Sequence, residues 1–198
     1  MGNKYLVFHG SIEKFYYPSI NNFDIKSLNN DTNEFGVYFL YISRNTYTAE
    51  VEKLVANRAK EYALRDSAKG YLYIYHLNSP LFNGKLLYSE VKMSFEDFKE
   101  LFKGYEISES TIRDYYDHPT STNNANLIRL AICFYKKVNP NMNWEDIAHE
   151  LTARTGKNGF IHGNINMGTI VLWNPEFYHS TGELEYINRK AVKLIDLI

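Results

Sequence analysis

Residues 70–77 read Gly-Tyr-Leu-Tyr-Ile-Tyr-His-Leu and predict the clearest β-strand of the chain. Successive side chains of a strand point to opposite faces of its sheet. The three tyrosines and Leu77 therefore share one face, and Leu72, Ile74 and His76 share the other. This alternation is typical of a strand inside a β-sheet.

Further strands are predicted near both ends of the chain, where short apolar and aromatic runs lead into turn residues. They cover Tyr5–Phe8, Gly36–Tyr41, Gly159–His162 and Thr169–Trp173, with a final extended pair at 184–188 and 191–196. Residues 18–34 are polar and rich in asparagine, so we predict a loop there.

Helices are predicted between these strands. From Thr48 the apolar residues return at helical spacing, on a face formed by Val51, Leu54, Val55, Ala59 and Tyr62. Gly70 is expected to end this helix or the turn behind it. Residues 92–156 also have helical patterns, with Ser94 as an N-cap and helices at 108–116, 123–137 and 143–155, the last ended by Gly156.

Strands at both ends with helices grouped between them predict an α+β fold rather than a doubly wound parallel sheet. The chain has 198 residues, no internal repeat and no long Pro/Gly/Ser linker. We therefore expect one domain over 1–198, in which 92–156 form a helical insertion.

The composition excludes several classes of protein. Hydrophobic residues make up 44% of the chain, enough to bury a core and to exclude wholesale disorder. The 22 Lys and Arg against 23 Asp and Glu leave no polycationic field for nucleic acid, so a protein partner is favoured. The longest apolar stretches, Leu127–Tyr135 and Thr169–Trp173, are too short to span a bilayer, and we expect no membrane association.

The cysteine and histidine content gives no sign of a metal site. The single cysteine, Cys133, excludes an internal disulfide, and its apolar neighbours predict a core position. No histidine has another at the i+4 spacing of a helical metal pair, and those at 76, 118, 149 and 179 are expected to be structural or solvated. We expect no metal and a reducing, cytoplasmic compartment.

Three short segments carry chemically useful residues. Residues 9–11 (His-Gly-Ser) end the first strand with an imidazole, a glycine that lets a ligand approach the backbone, and a hydroxyl. Residues 35–39 (Phe-Gly-Val-Tyr-Phe) contain a tyrosine that could present its ring to a planar heterocycle. Residues 159–162 (Gly-Phe-Ile-His), a polar loop, and residues 169–175 (Thr-Ile-Val-Leu-Trp-Asn-Pro) form the third.

In this order the three segments resemble the ADP-ribosyltransferase superfamily, in its histidine–tyrosine–glutamate branch of poly-ADP-ribose polymerases and diphtheria-type toxins. In that branch one strand ends in His-Gly-Ser/Thr, and a second reads Gly-x-Tyr-Phe before a helix. A late strand reads Glu-Tyr-Val-Val-Phe-Asn-Pro or similar. The resemblance spans roughly residues 4–90 and 158–178, and the layout is similar to small phage or bacterial transferases, including anti-CRISPR ones.

The resemblance implies two small, mainly antiparallel sheets that form a cleft for NAD, which is the substrate. In the implied reaction nicotinamide leaves an oxocarbenium-like ribose, and a nucleophile of the acceptor captures the sugar. His9 would form a hydrogen bond with the adenosine ribose, and Tyr38 would stack on the nicotinamide ring. The NAD-binding positions that the resemblance implies are His9, Gly10, Ser11, Gly36, Tyr38 and, as a candidate second ring, Tyr47.

The chain departs from the family at the catalytic glutamate, whose position is taken by Thr169. A hydroxyl can form a hydrogen bond with a ribose hydroxyl, but it cannot stabilise the positive charge of the oxocarbenium-like sugar as a carboxylate does. Another polar group then substitutes, or the acceptor takes part, or NAD is bound without transfer. The candidate substitutes are Asn164, Asn166, Glu176, Glu145 and Glu150.

The resemblance therefore implies a mono-ADP-ribosyltransferase that acts on a macromolecular acceptor as a toxin, effector or counter-defence factor. The alternative is a catalytically degenerate module that binds NAD or a partner. An RNA 2'-phosphotransferase shares the fold, but the absence of a basic cluster argues against it.

Overall fold

The computed structural model describes residues 5–12, 14–15, 18–22, 34–64, 68–78, 84–164 and 166–193. Within these ranges the strands are β1 (Tyr5–Ser11), β2 (Val37–Ser43), β3 (Lys69–Leu77), β4 (Leu87–Tyr88), β5 (Gly159–Gly163), β6 (Met167–Leu172) and β7 (Leu184–Lys193). The α-helices are α1 (Ala49–Ala63), α2 (Phe95–Glu100), α3 (Glu109–Asp117), α4 (Asn124–Val138), α5 (Trp144–Thr155) and α6 (Pro175–Ser180).

The strands form one seven-stranded sheet in the order β4-β5-β6-β2-β1-β3-β7. Every neighbouring pair is antiparallel except β4 and β5, which run parallel. The predicted α+β fold is confirmed. The two small sheets that we expected are instead one mixed sheet, because β2 pairs with β1 on one side and with β6 on the other.

The two faces of the sheet are covered differently. On one face, here called the helical face, Phe8, Leu72 and Ile74 pack under α1, while Phe160 and Trp173 pack under α2 to α5. The opposite face, here called the tyrosine face, buries the odd-numbered tyrosines of β3 together with residues of β1, β2 and α6. The predicted alternation along β3 is therefore confirmed.

Helix α1 lies unusually close to the sheet, and glycine makes that approach possible. A Cβ atom at Gly10 would lie 1.9 Å from the carbonyl oxygen of Ala59, and one at Gly70 would lie 2.4 Å from that of Ala63. Small residues on both sides thus let the backbones meet. We expected Gly70 to end the helix or the turn behind it, and this was wrong. Gly70 lies inside β3, and the helix ends at Ala63.

The helical insertion follows the sequence prediction closely. Helices α2 to α5 each begin after a polar N-cap whose side chain accepts a backbone N–H, at Ser94, Ser108, Asn123 and Asn143. Such a cap typically contributes about 1 kcal/mol. Gly156 ends α5 in the left-handed conformation, with φ of 65°. The N-cap of α1 is Thr48, the residue from which the sequence has a helical period.

Several predictions were wrong. Cys133 is exposed on α4, and Leu54 and Tyr62 are exposed on α1. Residues 184–193 form one continuous strand, not an extended pair, and residues 194–196 lie outside the described ranges. Most of the predicted loop at 18–34 also lies outside them, but its Ile20 is buried in the helical core. Strand β4 and helix α6 were not predicted.

Candidate functional site

The sheet opens between β1 and β2 at the segments that the sequence singled out. The ladder between these strands ends at the pair Phe8–Leu40. Strand β1 continues to Ser11 paired with β3 alone, while β2 begins at Val37 paired with β6 alone. The two halves of the sheet therefore separate here. We call this place the opening; residues 9–11 lie on one side of it and residues 36–38 on the other.

His9 crosses the opening with a side-chain hydrogen bond. Its Nδ1 atom lies 2.7 Å from the carbonyl oxygen of Tyr38. The ring is packed on the tyrosine face among Phe15, Phe39 and Tyr73, with centroid distances of 5.7, 5.3 and 6.2 Å. Burial lowers the pKa of His9 to about 4. The ring is therefore neutral near pH 7; Nδ1–H donates to the carbonyl, and Nε2 carries a lone pair.

Tyr38 points to the other face of the sheet, toward the helices. The backbone N–H of Glu34 donates to its hydroxyl oxygen at 2.6 Å. Burial raises the pKa of Tyr38 to about 12, so the phenol stays protonated. The backbone of α1 at Ala59 and Ala63 lies directly over Gly10, on the other side of the opening. Tyr62, next to Ala63, is therefore the aromatic residue of α1 at this end of the opening, and it is the last of the groups that raise the pKa of Tyr38.

The second aromatic residue at the opening is not the one that we predicted. Tyr47 lies beyond the far end of β2, roughly 20 Å from Tyr38 in the direction of the strand. Its hydroxyl donates a hydrogen bond to Glu52. Tyr47 and Tyr62 are each 48% exposed, but Tyr62 is the one at the opening, next to Ala63, whose backbone lies over Gly10. The sequence analysis placed Tyr62 on the apolar face of α1 and gave no sign that it lies at the opening.

A pocket of about 260 Å³ lies between α1 and the strands β2 and β6. Its lining residues are Leu40, Leu54, Val55, Arg58, Met167, Gly168 and Thr169. Leu54, Arg58 and Tyr62 recur every four residues, so they form one stripe along the helix. Leu54 is 63% exposed, so the pocket is rimmed by apolar surface with one cation, Arg58, beside it.

Thr169 lies in this pocket, on the same face as Tyr38. It is paired with Leu40 of β2 and with His162 of β5. Tyr38 is paired with Val171, two residues further along β6, so Tyr38 and Thr169 are diagonal neighbours about 7–8 Å apart. The structure brings Tyr38 and Thr169 together, while the His9 ring lies on the opposite face.

A cluster that sequence reasoning missed lies next to Thr169. Nε2 of His162 is 2.7 Å from Oε1 and 2.8 Å from Oε2 of Glu34, and Oγ of Ser89 is 3.0 Å from Nδ1 and 3.1 Å from Nε2. Glu34 is 7% exposed and Ser89 is 2% exposed, whereas the His162 side chain is 32% exposed. The hydrogen bond that the Glu34 carboxylate accepts from this ring raises the pKa of His162. Glu90 is further away, at 3.8 Å from Nδ1.

The five candidate substitutes for the glutamate have other roles. Glu150 bonds Arg154 and Tyr105, and Glu145 lies 3.9 Å from His149. Glu176 accepts the N–H of Ile20 at 3.0 Å. The Asn164 side chain accepts backbone N–H groups of its own turn, and the Asn166 carbonyl accepts the N–H of Ser43. None of these contacts involves Thr169 or Tyr38.

No protein-family model matches the chain, and the comparisons with curated proteins and with solved structures found no match either. Across the described ranges, no three His, Cys, Asp or Glu side chains are grouped so as to hold a metal ion. No helix in that part of the chain is long and apolar enough to cross a membrane.

Proposed function

We propose that the chain is an NAD-dependent mono-ADP-ribosyltransferase that modifies a macromolecular acceptor, a protein rather than a nucleic acid, in the cytoplasm. The observation that carries the proposal is the opening between β1 and β2. Its two sides are formed by the His-Gly-Ser and Gly-x-Tyr-Phe segments, and the next strand, β6, carries Thr169. Segments far apart in sequence thus meet at one place in the sheet.

Groups on both faces of the sheet at the opening suit the parts of NAD, which would pass through the opening to contact them. The neutral His9 offers a lone pair on Nε2, which can accept a hydrogen bond from a ribose hydroxyl. The Tyr38 ring, with Tyr62 at the opening, offers a flat surface to nicotinamide. Arg58 at the pocket offers a charge to a diphosphate, although Glu61 holds it at 2.6 Å in the free protein.

Gly10, Ser11 and Gly36 stay predictions as NAD-binding residues. Gly10 has a structural reason to be glycine, because α1 passes directly over it. Ser11 ends β1 opposite Tyr71, and Gly36 precedes β2 with φ of 140°. The predicted contact with the nicotinamide amide would be made by the backbone of Gly10 and not by a side chain.

A second candidate function is NAD binding without transfer. The observation that favours it is Thr169 itself, since a neutral hydroxyl stands where the family has its carboxylate. The two functions differ in one product, because only a transferase releases nicotinamide and labels an acceptor.

Incubation of the protein with NAD labelled in its adenylate part and with a cell lysate separates the two functions. We expect the label on discrete proteins, identified by gel electrophoresis and mass spectrometry, and equimolar release of nicotinamide. Binding of NAD without either product would support the second candidate and contradict transfer.

A further inference from the structure

Glu34 and His162 form a closely hydrogen-bonded pair on the helical face, in which only Glu34 is buried. Both carboxylate oxygens of Glu34 lie within 2.8 Å of Nε2, and 128 residues separate the partners in sequence. A carboxylate accepts only, so Nε2 must carry the hydrogen and Nδ1 holds the lone pair of the neutral ring. The carboxylate also favours the protonated ring once Nδ1 accepts a proton.

The position of His162 makes this pair relevant to Thr169. The two residues face each other directly across β5 and β6, so their Cβ atoms lie about 5 Å apart. His162 is the accessible member of the pair, at 32% side-chain exposure against 7% for Glu34. An accessible imidazole oriented by a buried carboxylate is a common arrangement for acid–base catalysis.

We propose that His162, oriented by Glu34, is the acid–base group that accepts the acceptor's proton, a role that Thr169 cannot fill. This inference rests on the proposed function and deepens it. The acceptor oxygen or nitrogen bonds C1 of the ribose while the bond from C1 to nicotinamide breaks. The electron pair of that bond goes to the ring nitrogen and cancels its charge. The acceptor's proton goes to Nδ1 of His162 and then to solvent.

Ser89 has a different role in this account. A serine, a histidine and a carboxylate in contact suggest a hydrolase triad, but a nucleophile has to reach its substrate. Ser89 is 2% exposed and so cannot attack a bound molecule from its present position. Its hydroxyl competes for Nδ1 at 3.0 Å. Replacement of Ser89 by alanine should therefore raise the rate, because it frees Nδ1 to take the acceptor's proton.

The experiment measures nicotinamide release from NAD with enzyme in excess and water as the acceptor, over pH 5 to 9. The variants are His162→Gln, Glu34→Gln and Ser89→Ala. His76→Gln is the matched control, because His76 is also a strand histidine on the helical face, with Glu185 at 4.0 Å. Calorimetry of NAD binding on each variant reports on the site independently of catalysis.

For the wild type we expect a rate that rises with pH through the pKa of His162, because the base must be neutral. In His162→Gln the rate of nicotinamide release should fall about 100-fold, and its rise with pH on the acid side of the profile, the acid limb, should disappear. The affinity of this variant for NAD should stay within about twofold of the wild type. Glu34→Gln should move the acid limb to lower pH, since it removes the charge that raises the pKa. A merely structural role would not move this limb. The control should match the wild type.

Three results would overturn the inference. One is a His162→Gln rate within twofold of the wild type with the acid limb retained. Another is loss of activity in Ser89→Ala equal to that in His162→Gln, which would indicate a nucleophilic serine. The third is NAD binding by the wild type without nicotinamide release. If the wild type does not bind NAD at all, the proposed function itself fails, and calorimetry separates that case from the others.

Discussion

The Nδ1 atom of His9 lies 2.7 Å from the carbonyl oxygen of Tyr38. His9 directly follows Phe8, the last residue of β1 that pairs with β2. This bond joins the two strands where the ladder between them has stopped. It also fixes the tautomer of a neutral imidazole and leaves Nε2 as an acceptor. The same side chain therefore ties the opening together and offers it a ligand-binding atom.

His9 makes the stability of the protein dependent on pH. Its pKa of about 4 is lower than the usual 6.5, so the unfolded chain binds more protons between these values. The His9 contribution is thus complete above pH 6.5 and is lost as the pH falls toward 4. We expect this loss to be up to about 3 kcal/mol.

Urea unfolding of the wild type and of His9→Gln at pH 7 and pH 4.5 measures this contribution. The Gln amide can donate to the Tyr38 carbonyl but does not titrate, so the variant should lose less stability on acidification. An equal loss in both proteins would show that His9 is not held neutral by the fold. His162 has the opposite sign, because its raised pKa stabilises the fold at low pH.

Gly10→Ala should destabilise the fold by about 1–3 kcal/mol. Its Cβ would fall 1.9 Å from a backbone oxygen of α1, which cannot move without shifting the helix. Gly104→Ala is the comparison, since a Cβ there meets nothing within 4 Å and only its φ of 82° costs stability, about 1 kcal/mol. Denaturant unfolding of both variants measures the difference. A smaller effect at Gly10 would mean that α1 lies further from β1.

Tyr62→Ala should weaken NAD binding about fivefold, the equivalent of roughly 1 kcal/mol of aromatic contact. Tyr47→Ala is a matched control, because the two tyrosines have the same 48% exposure and Tyr62 is the one at the opening. Isothermal calorimetry on both variants checks this. Weaker binding by Tyr47→Ala with normal binding by Tyr62→Ala would restore the prediction made from sequence.

Substitutions at Thr169 test how the glutamate position is used. Thr169→Ala should weaken activity without abolishing it, because a hydroxyl contributes a hydrogen bond and no charge. Thr169→Glu should raise acceptor-free NAD hydrolysis, since it places a carboxylate opposite His162 and beside the pocket. Nicotinamide release measures both. Fast hydrolysis by the wild type, unchanged in Thr169→Ala, would show that the catalytic group lies elsewhere.

Local patterns in the sequence predicted the local structure. The two-residue period of 71–77 predicted the faces of β3, and Ser94 was predicted as the N-cap at which α2 begins. Helix α6 could also have been predicted, because Asn174 caps it and Pro175 occupies its first turn. These features depend only on residues a few positions apart.

Long-range contacts could not be predicted in this way. The number of sheets depends on whether β2 pairs with both β1 and β6, which no local period encodes. The pair of Glu34 and His162 spans 128 residues and matches no motif. On α1 the apolar residues of the sequence cover more of the helix surface than the part that contacts the sheet. The helix contacts the sheet closely at Ala59 and Ala63, and Leu54 and Tyr62 remain exposed to solvent.

The central claim is that NAD binds at the opening between β1 and β2, and calorimetry with NAD and with nicotinamide tests it most directly. We expect the wild type to bind both ligands and Tyr38→Ala to bind both about fivefold more weakly, through loss of ring contact. Tyr38→Phe should bind as the wild type does, because it keeps the ring. Binding of neither ligand by the wild type, or equal binding by Tyr38→Ala, would contradict the claim.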